Sequence, residues 1–144
     1  MNPQTMKSEL KKRESRPKVL VVEDNTLTVK ILNHILPGEE FSVMMSHDGN
    51  EAINIIPEFE PDIIITDIML PLKSGLEVLV FVKSNYAHIP VIVFSALGEE
   101  ERAVSKAFNL GADDFIAKPF SPGEFILRIK RLLEAKKTKV DKLI

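Results

Sequence analysis

Apolar residues recur along this chain in two alternating kinds of run. Short blocks of four or five, rich in β-branched residues, read as buried strands; between them, apolar positions three and four apart read as helices. The first strand is Lys18–Val22, followed by the polar turn Glu23-Asp24-Asn25 and a helical face of Leu27, Ile31, Leu32, Ile35 and Leu36 that Pro37-Gly38 ends. A weaker strand over 41–45 leads to a short helix over 51–56, stopped near Pro57. The third strand covers 62–66, and a helix over 75–86 carries Leu76, Leu79, Val80 and Val82. The fourth strand covers 90–94, a helix over 99–109 is closed by Gly111, and Asp114–Ala117 is the fifth strand. A last helix starts near Ser121 and carries Phe125, Ile126, Ile129, Leu132 and Leu133.

Five strand–helix units with strongly apolar strands predict an α/β fold, a parallel sheet covered by helices on both faces. An eight-unit barrel would need far more than 144 residues. Residues 1–17 are polar and mixed in charge, with few apolar anchors to offset the entropy of ordering, and read as a flexible N-terminal tail. The folded unit is expected over 18–134. Residues 135–144 are lysine-rich and have lost the dense core pattern, which reads as a tail, a linker or a continuation of the last helix.

Composition narrows the classes. An apolar fraction of 44% and a charged fraction of 28% are ordinary for one globular domain, and a net charge of -2 gives no global field for nucleic acid or an anionic membrane. The absence of cysteine removes disulfides, thiol catalysis and thiolate metal sites. No apolar core for a secretory signal stands at the start, and no apolar run is long enough to span a bilayer, so a cytoplasmic protein without a membrane partner is expected. His34, His47 and His88 share no metal-ligand spacing.

In an open parallel sheet, ligands bind beyond the carboxyl ends of the strands. The residues that follow the apolar runs are Glu23 and Asp24, Asp67, Ser95, and Lys118 with Pro119. Three carboxylates, a hydroxyl and an ammonium therefore converge on one rim. Packed carboxylates repel and call for a cation; Mg²⁺, a hard ion that takes few carboxylates and also grips phosphate, is the natural one. Asp67 could attack phosphorus to give an acyl phosphate, with metal and lysine neutralising the moving charge. Each of these residues alone reads more simply as a solvated strand end, a helix cap or a turn; their convergence argues otherwise.

Four segments carry a resemblance: Val21-Val22-Glu23-Asp24-Asn25, Asp67-Ile68-Met69-Leu70-Pro71 with Gly75, Phe94-Ser95-Ala96, and 111–120 (GADDFIAKPF). Together, in this order, they resemble the receiver domains of response regulators in two-component phosphorelays. The resemblance implies a doubly wound, flavodoxin-like sheet of strand order 2-1-3-4-5. It implies Mg²⁺ (or Mn²⁺) held by Glu23, Asp24, Asp67 and the backbone carbonyl of Met69, with Asp67 as phosphoacceptor. Lys118 would pair with Asp67 and then with the phosphoryl group, aimed by a cis Lys118-Pro119 peptide, and Gly75 would permit the tight loop after the third strand. Ser95 and Phe115 would form the conformational switch. Such a domain is no enzyme beyond its own phosphorylation and dephosphorylation. Met69 and Leu97, unable to orient a water, imply a slow loss of the phosphoryl group.

Other phosphoryl-handling classes fail on named residues. A haloacid-dehalogenase-type phosphatase wants an acid two positions after its nucleophile, where this chain has Met69. A Rossmann or P-loop protein wants glycines after the first strand, where this chain has Glu23-Asp24-Asn25. The implied partners are a histidine kinase or phosphotransfer protein and a downstream protein or attached output domain. Up to Ile144 no DNA-reading element is expected. Asp114, Glu124, Arg128 and Arg131 raise a homodimer through the face of the fourth helix, fifth strand and fifth helix of the repeating units.

Overall fold

The computed structural model describes residues 2–36, 40–70, 73–96 and 101–143, with the side chains of 10–14 and 139–143 outside that description. The elements run α1 (Pro3–Ser15), β1 (Lys18–Val22), α2 (Thr26–Ile35), β2 (Ser42–Ser46), α3 (Gly49–Phe59), β3 (Ile63–Asp67), α4 (Gly75–Asn85), β4 (Val91–Ser95), α5 (Glu101–Asn109), β5 (Asp114–Ala117) and α6 (Pro122–Leu143). All strand pairs are parallel and the sheet order is β2-β1-β3-β4-β5. The parallel sheet covered on both faces is what the alternation predicts, and its order is the 2-1-3-4-5 that the resemblance implies. Among the described residues, no helix is long and apolar enough to cross a membrane.

The two faces of the sheet follow from the period of two along each strand. Val19, Val21, Ile63, Ile65, Ile92, Phe94 and Ile116 pack with Leu32 and Leu36 of the α2 side and Phe125 and Ile129 of α6. Leu20, Val22, Ile64, Val91 and Val93 pack on the other side with Ala52 and Ile56 of α3, Val78, Leu79 and Val82 of α4, and Ala107 of α5. The central strands are buried on both faces, which is why they read as unbroken apolar runs rather than alternations.

Several expectations need correction. Residues 3–15, within the stretch expected as a tail, form a helix. Asn2 caps it, its side chain accepting from Thr5 N–H at 2.8 Å, and Pro3 stands at the first helical position, where its missing N–H costs nothing. The helix is exposed at residues 3–9, so local capping rather than core burial accounts for it. The second helix begins at Gly49, because Asp48 accepts from Glu51 N–H at 2.8 Å, and it runs past Pro57 to a left-handed cap at Glu60, φ 52°. Leu27 and Ile31, expected on the inner face of α2, are exposed, as is Val80 on α4, whereas Val78 is buried. The last helix continues to Leu143, one of the alternatives left open for the lysine-rich stretch, with Lys136 lying 3.7 Å from Asp62, just before β3. The expected stop at Pro37-Gly38 and the expected helix start at Glu99 lie outside the described residues.

One polar clip joins the two units on the β5 side of the sheet. Asp113 Oδ2 accepts from the buried Val91 N–H and from Lys83 Nζ, both at 2.8 Å, and Lys83 also donates to the Ile89 carbonyl. Removing the carboxylate strands a buried donor, which costs more than the loss of an exposed ion pair. Asp113→Ala should therefore lower the unfolding free energy by about 1–3 kcal/mol in urea titration. A change of only a few tenths would show that the clip contributes little.

Candidate functional site

The strand periodicity carries straight into the rim. Glu23 continues the face of Val19 and Val21, Asp67 that of Ile63 and Ile65, and Lys118 that of Ile116. The three side chains meet as a result. Lys118 Nζ donates to Asp67 Oδ2 at 2.6 Å and to Glu23 Oε2 at 3.0 Å, closing contacts between residues 51 and 95 positions apart. The other Asp67 oxygen accepts from Met69 N–H at 3.1 Å, and Glu23 Oε1 accepts from Asn25 N–H at 3.2 Å. Asp24 is exposed at the mouth, and carboxylate oxygens of Glu23, Asp24 and Asp67 all lie within 4.8 Å of one another.

Electrostatics at this point are unbalanced. Glu23 is 0% exposed, and burial followed by the negative charge of Asp67 pushes its pKa from 4.5 up to about 7, the Lys118 hydrogen bond offsetting this only in part. Burial acts against the charged form of Lys118 too, but its hydrogen bonds to Asp67 and Glu23 outweigh that and raise its pKa. Two buried acids and a neighbouring third thus share one ammonium. That donor set, hard oxygens with surplus negative charge, fits a divalent cation of the Mg²⁺ type.

The surrounding loops are anchored to the same rim. Ile68 N–H donates to the Phe94 carbonyl at 3.2 Å, Lys118 N–H to the Ser95 carbonyl at 2.7 Å, and Glu23 N–H to the Ser46 carbonyl at 2.9 Å. The Lys118–Pro119 peptide is cis. Gly75 N–H donates to the Ile68 carbonyl at 2.8 Å, and a Cβ at Gly75 would overlap the Asp67 carbonyl oxygen and come 2.8 Å from the Ile68 Cα. Glycine is therefore required here by close approach, not by a left-handed φ, which among described glycines belongs to Gly111. Ser95, 4% exposed, ends β4, and Phe115 pairs in register with Val93 two residues earlier. Both sit on the α5 side of the sheet, opposite the face of the charged trio.

Met69 is 67% exposed beside the site; Leu97 and Pro71 lie outside the described residues. Two neighbours were not singled out from the sequence. Phe94, read only as strand core, lies under the Lys118 ammonium at 5.5 Å from its ring centroid. Phe108 meets Phe115 edge-on at 6.5 Å. Neither contact has a local signal, since each joins different strand–helix units. A cavity of about 410 Å³ at the opposite rim, lined by Ile56, Tyr86, His88 and Lys136 among others, touches none of the charged trio.

Known proteins share this fold. The family model of the response regulator receiver domain matches residues 19–130. The signal receiver domain of a signal transduction histidine kinase from Syntrophus aciditrophicus is 31% identical, with 83% of this chain and 91% of that one covered and a TM-score of 0.76. NtrX from Brucella abortus is 30% identical over 90% of this chain but only 30% of its own length, TM-score 0.81; its receiver domain alone is 30% identical over 81% and 98%, TM-score 0.75.

The raised pKa of Glu23 fixes the sign of a pH effect. Between 4.5 and about 7 the folded chain holds more protons than the unfolded chain, so stability falls as pH rises through that window. Without divalent ions the decline should reach roughly 3 kcal/mol, at 1.4 kcal/mol per pH unit, and Glu23→Gln should remove most of it. Chemical denaturation of both proteins across that range measures this; an equal slope in the variant would assign the effect to other groups.

Proposed function

The chain belongs to the response regulator receiver family, a signalling domain rather than an enzyme with a separate substrate, and from that premise we propose that Asp67 is its phosphoacceptor. The observation that carries the reading is the meeting of Asp67, Glu23 and Lys118 from three strand ends, with Asp24 at the mouth. A carboxylate oxygen of Asp67 attacks phosphorus of a phosphohistidine; the P–O bond forms as the P–N bond breaks, and the imidazole departs with the electron pair. Lys118 first holds Asp67 and then the phosphoryl oxygens, and the Ser95 hydroxyl donates to one of them. Glu23, Asp24, Asp67 and the Met69 carbonyl are the residues to hold Mg²⁺ (or Mn²⁺), which when bound neutralises carboxylate and phosphoryl charge.

The donor in this reading is a histidine kinase or a histidine phosphotransfer protein in the cytoplasm. The receiver unit is taken as 18–134. Ser95 and Phe115 are the switch: once Ser95 turns to the phosphoryl group, Phe115 moves toward the vacated space. The output is a partner protein or an attached domain, as in the longer NtrX chain that this one matches over part of its length.

Acetyl phosphate with Mg²⁺ should add one phosphoryl group, seen by intact mass spectrometry, and Asp67→Asn should abolish it. A variant that still takes the label would mean another acceptor. A phosphorylation-dependent homodimer through α5, β5 and α6 is a second element of the proposal. Arg128 already binds Asp114 at 2.7 Å and Glu124 at 2.8 Å within the chain, so such a dimer must exchange existing pairs. Sedimentation with and without beryllofluoride should reveal the dimer, and an unchanged monomer would eliminate it.

A further inference from the structure

Lys118 has a third neighbour besides its two carboxylates. Its ammonium stands over the ring of Phe94, 5.5 Å from the centroid, within the distance at which the negative face of an aromatic ring attracts a cation. Phe94 is 0% exposed and its ring is fixed from the side. It stacks with Phe120 at 5.3 Å and 10° and with Phe125 at 5.5 Å, and those two rings lie 5.1 Å apart. Its backbone is fixed too, in register with Asp67 on β3 and with its carbonyl accepting from Ile68 N–H.

We propose that Phe94 is a positioning residue for phosphoryl transfer, its ring face holding the Lys118 ammonium at the rim while the cation moves from Asp67 to the phosphoryl oxygens. The role rests on Asp67 being the acceptor. A hydrogen bond to Asp67 Oδ2 is directional and is broken when that oxygen takes phosphorus. Attraction to a ring face is less directional, so the ammonium stays desolvated and near the site as its hydrogen-bond partners change. An aliphatic side chain of similar bulk would fill the same space but supply no such attraction, leaving water or a retracted rotamer to compete for the cation.

Replacing Phe94 by mono-, di- and trifluorophenylalanine withdraws charge from the ring face with little change of shape. The initial rate of labelling by acetyl phosphate with Mg²⁺ should fall stepwise, by roughly three- to tenfold at the trifluoro ring. In a Lys118→Gln background the residual rate should be level across the same series. Proton NMR checks the geometry on which the role depends. The Lys118 ε-methylene protons should be shifted upfield by the ring current and return to ordinary values in Phe94→Leu. A level or rising series in a wild-type background that labels normally overturns the role of Phe94, as does an equal fall without Lys118. A wild-type protein that takes no label overturns the phosphoacceptor reading itself, and this role with it.

Discussion

Burying Glu23 beside Asp67 is the constraint around which this molecule is arranged. Two carboxylates in a low-dielectric rim are costly unless a cation meets both. The sequence supplies that cation from Lys118, 51 positions beyond one acid and 95 beyond the other. A sheet that places β3 between β1 and β4, with β5 outside β4, brings those strand ends within reach of one lysine side chain. The compensation is partial, as the raised pKa of Glu23 shows, and the remaining negative charge is what a divalent cation would answer.

The loops around the acids are held by close contact more than by local preference. Gly75 opens α4 with its backbone against the Asp67 carbonyl, and the Ser74–Glu77 capping box fixes the start of that helix. A Cβ at Gly49, the first residue of α3, would collide with the backbone of Lys73 in the same loop. Glycines at both helix starts thus permit close approach, of Lys73 to α3 and of Asp67 and Ile68 to α4. Ile68 and Leu70 anchor the start of this loop in the core, and the Met69 N–H between them donates to Asp67 Oδ1.

What could be read from the sequence was whatever repeats or whatever ends a run. The boundaries of β1 and β5 were legible because Lys18 and Asp114 are polar stops on apolar blocks, and the rim residues were legible because they are the first polar side chains after each strand. Helix faces were less so. Leu27 and Ile31 fit the helical spacing of α2 as well as Leu32 and Leu36 do, but the side of the helix that meets the sheet is a tertiary choice. The N-terminal helix escaped composition-based reasoning because its signal is the Asn2-Pro3 cap and not an apolar stripe. Phe94 was legible as core, yet its place under Lys118 depends on the register of β4 against β3 and β5, which no local pattern encodes.

That register also joins chemistry to conformation. The charged trio belongs to the face packed by α2 and α6, whereas Ser95 and Phe115 belong to the face packed by α3, α4 and α5. In the proposed reading a signal from Asp67 to Phe115 would have to cross the sheet, and the crossing is short. Consecutive residues of β4 are committed to both sides: the Phe94 carbonyl holds the Ile68 N–H next to Asp67, and the Ser95 carbonyl holds the Lys118 N–H. Phe94 turns its ring toward Lys118, and Ser95, one peptide further, turns toward the opposite face. Ser95 thus joins the backbone bond that sets the origin of the Lys118 side chain to the far face, where Phe115 meets Phe108 of α5 edge-on. The end of β4, like β5, which carries Phe115 and leads into Lys118, is main chain that the charged site and the α5 side of the sheet have in common.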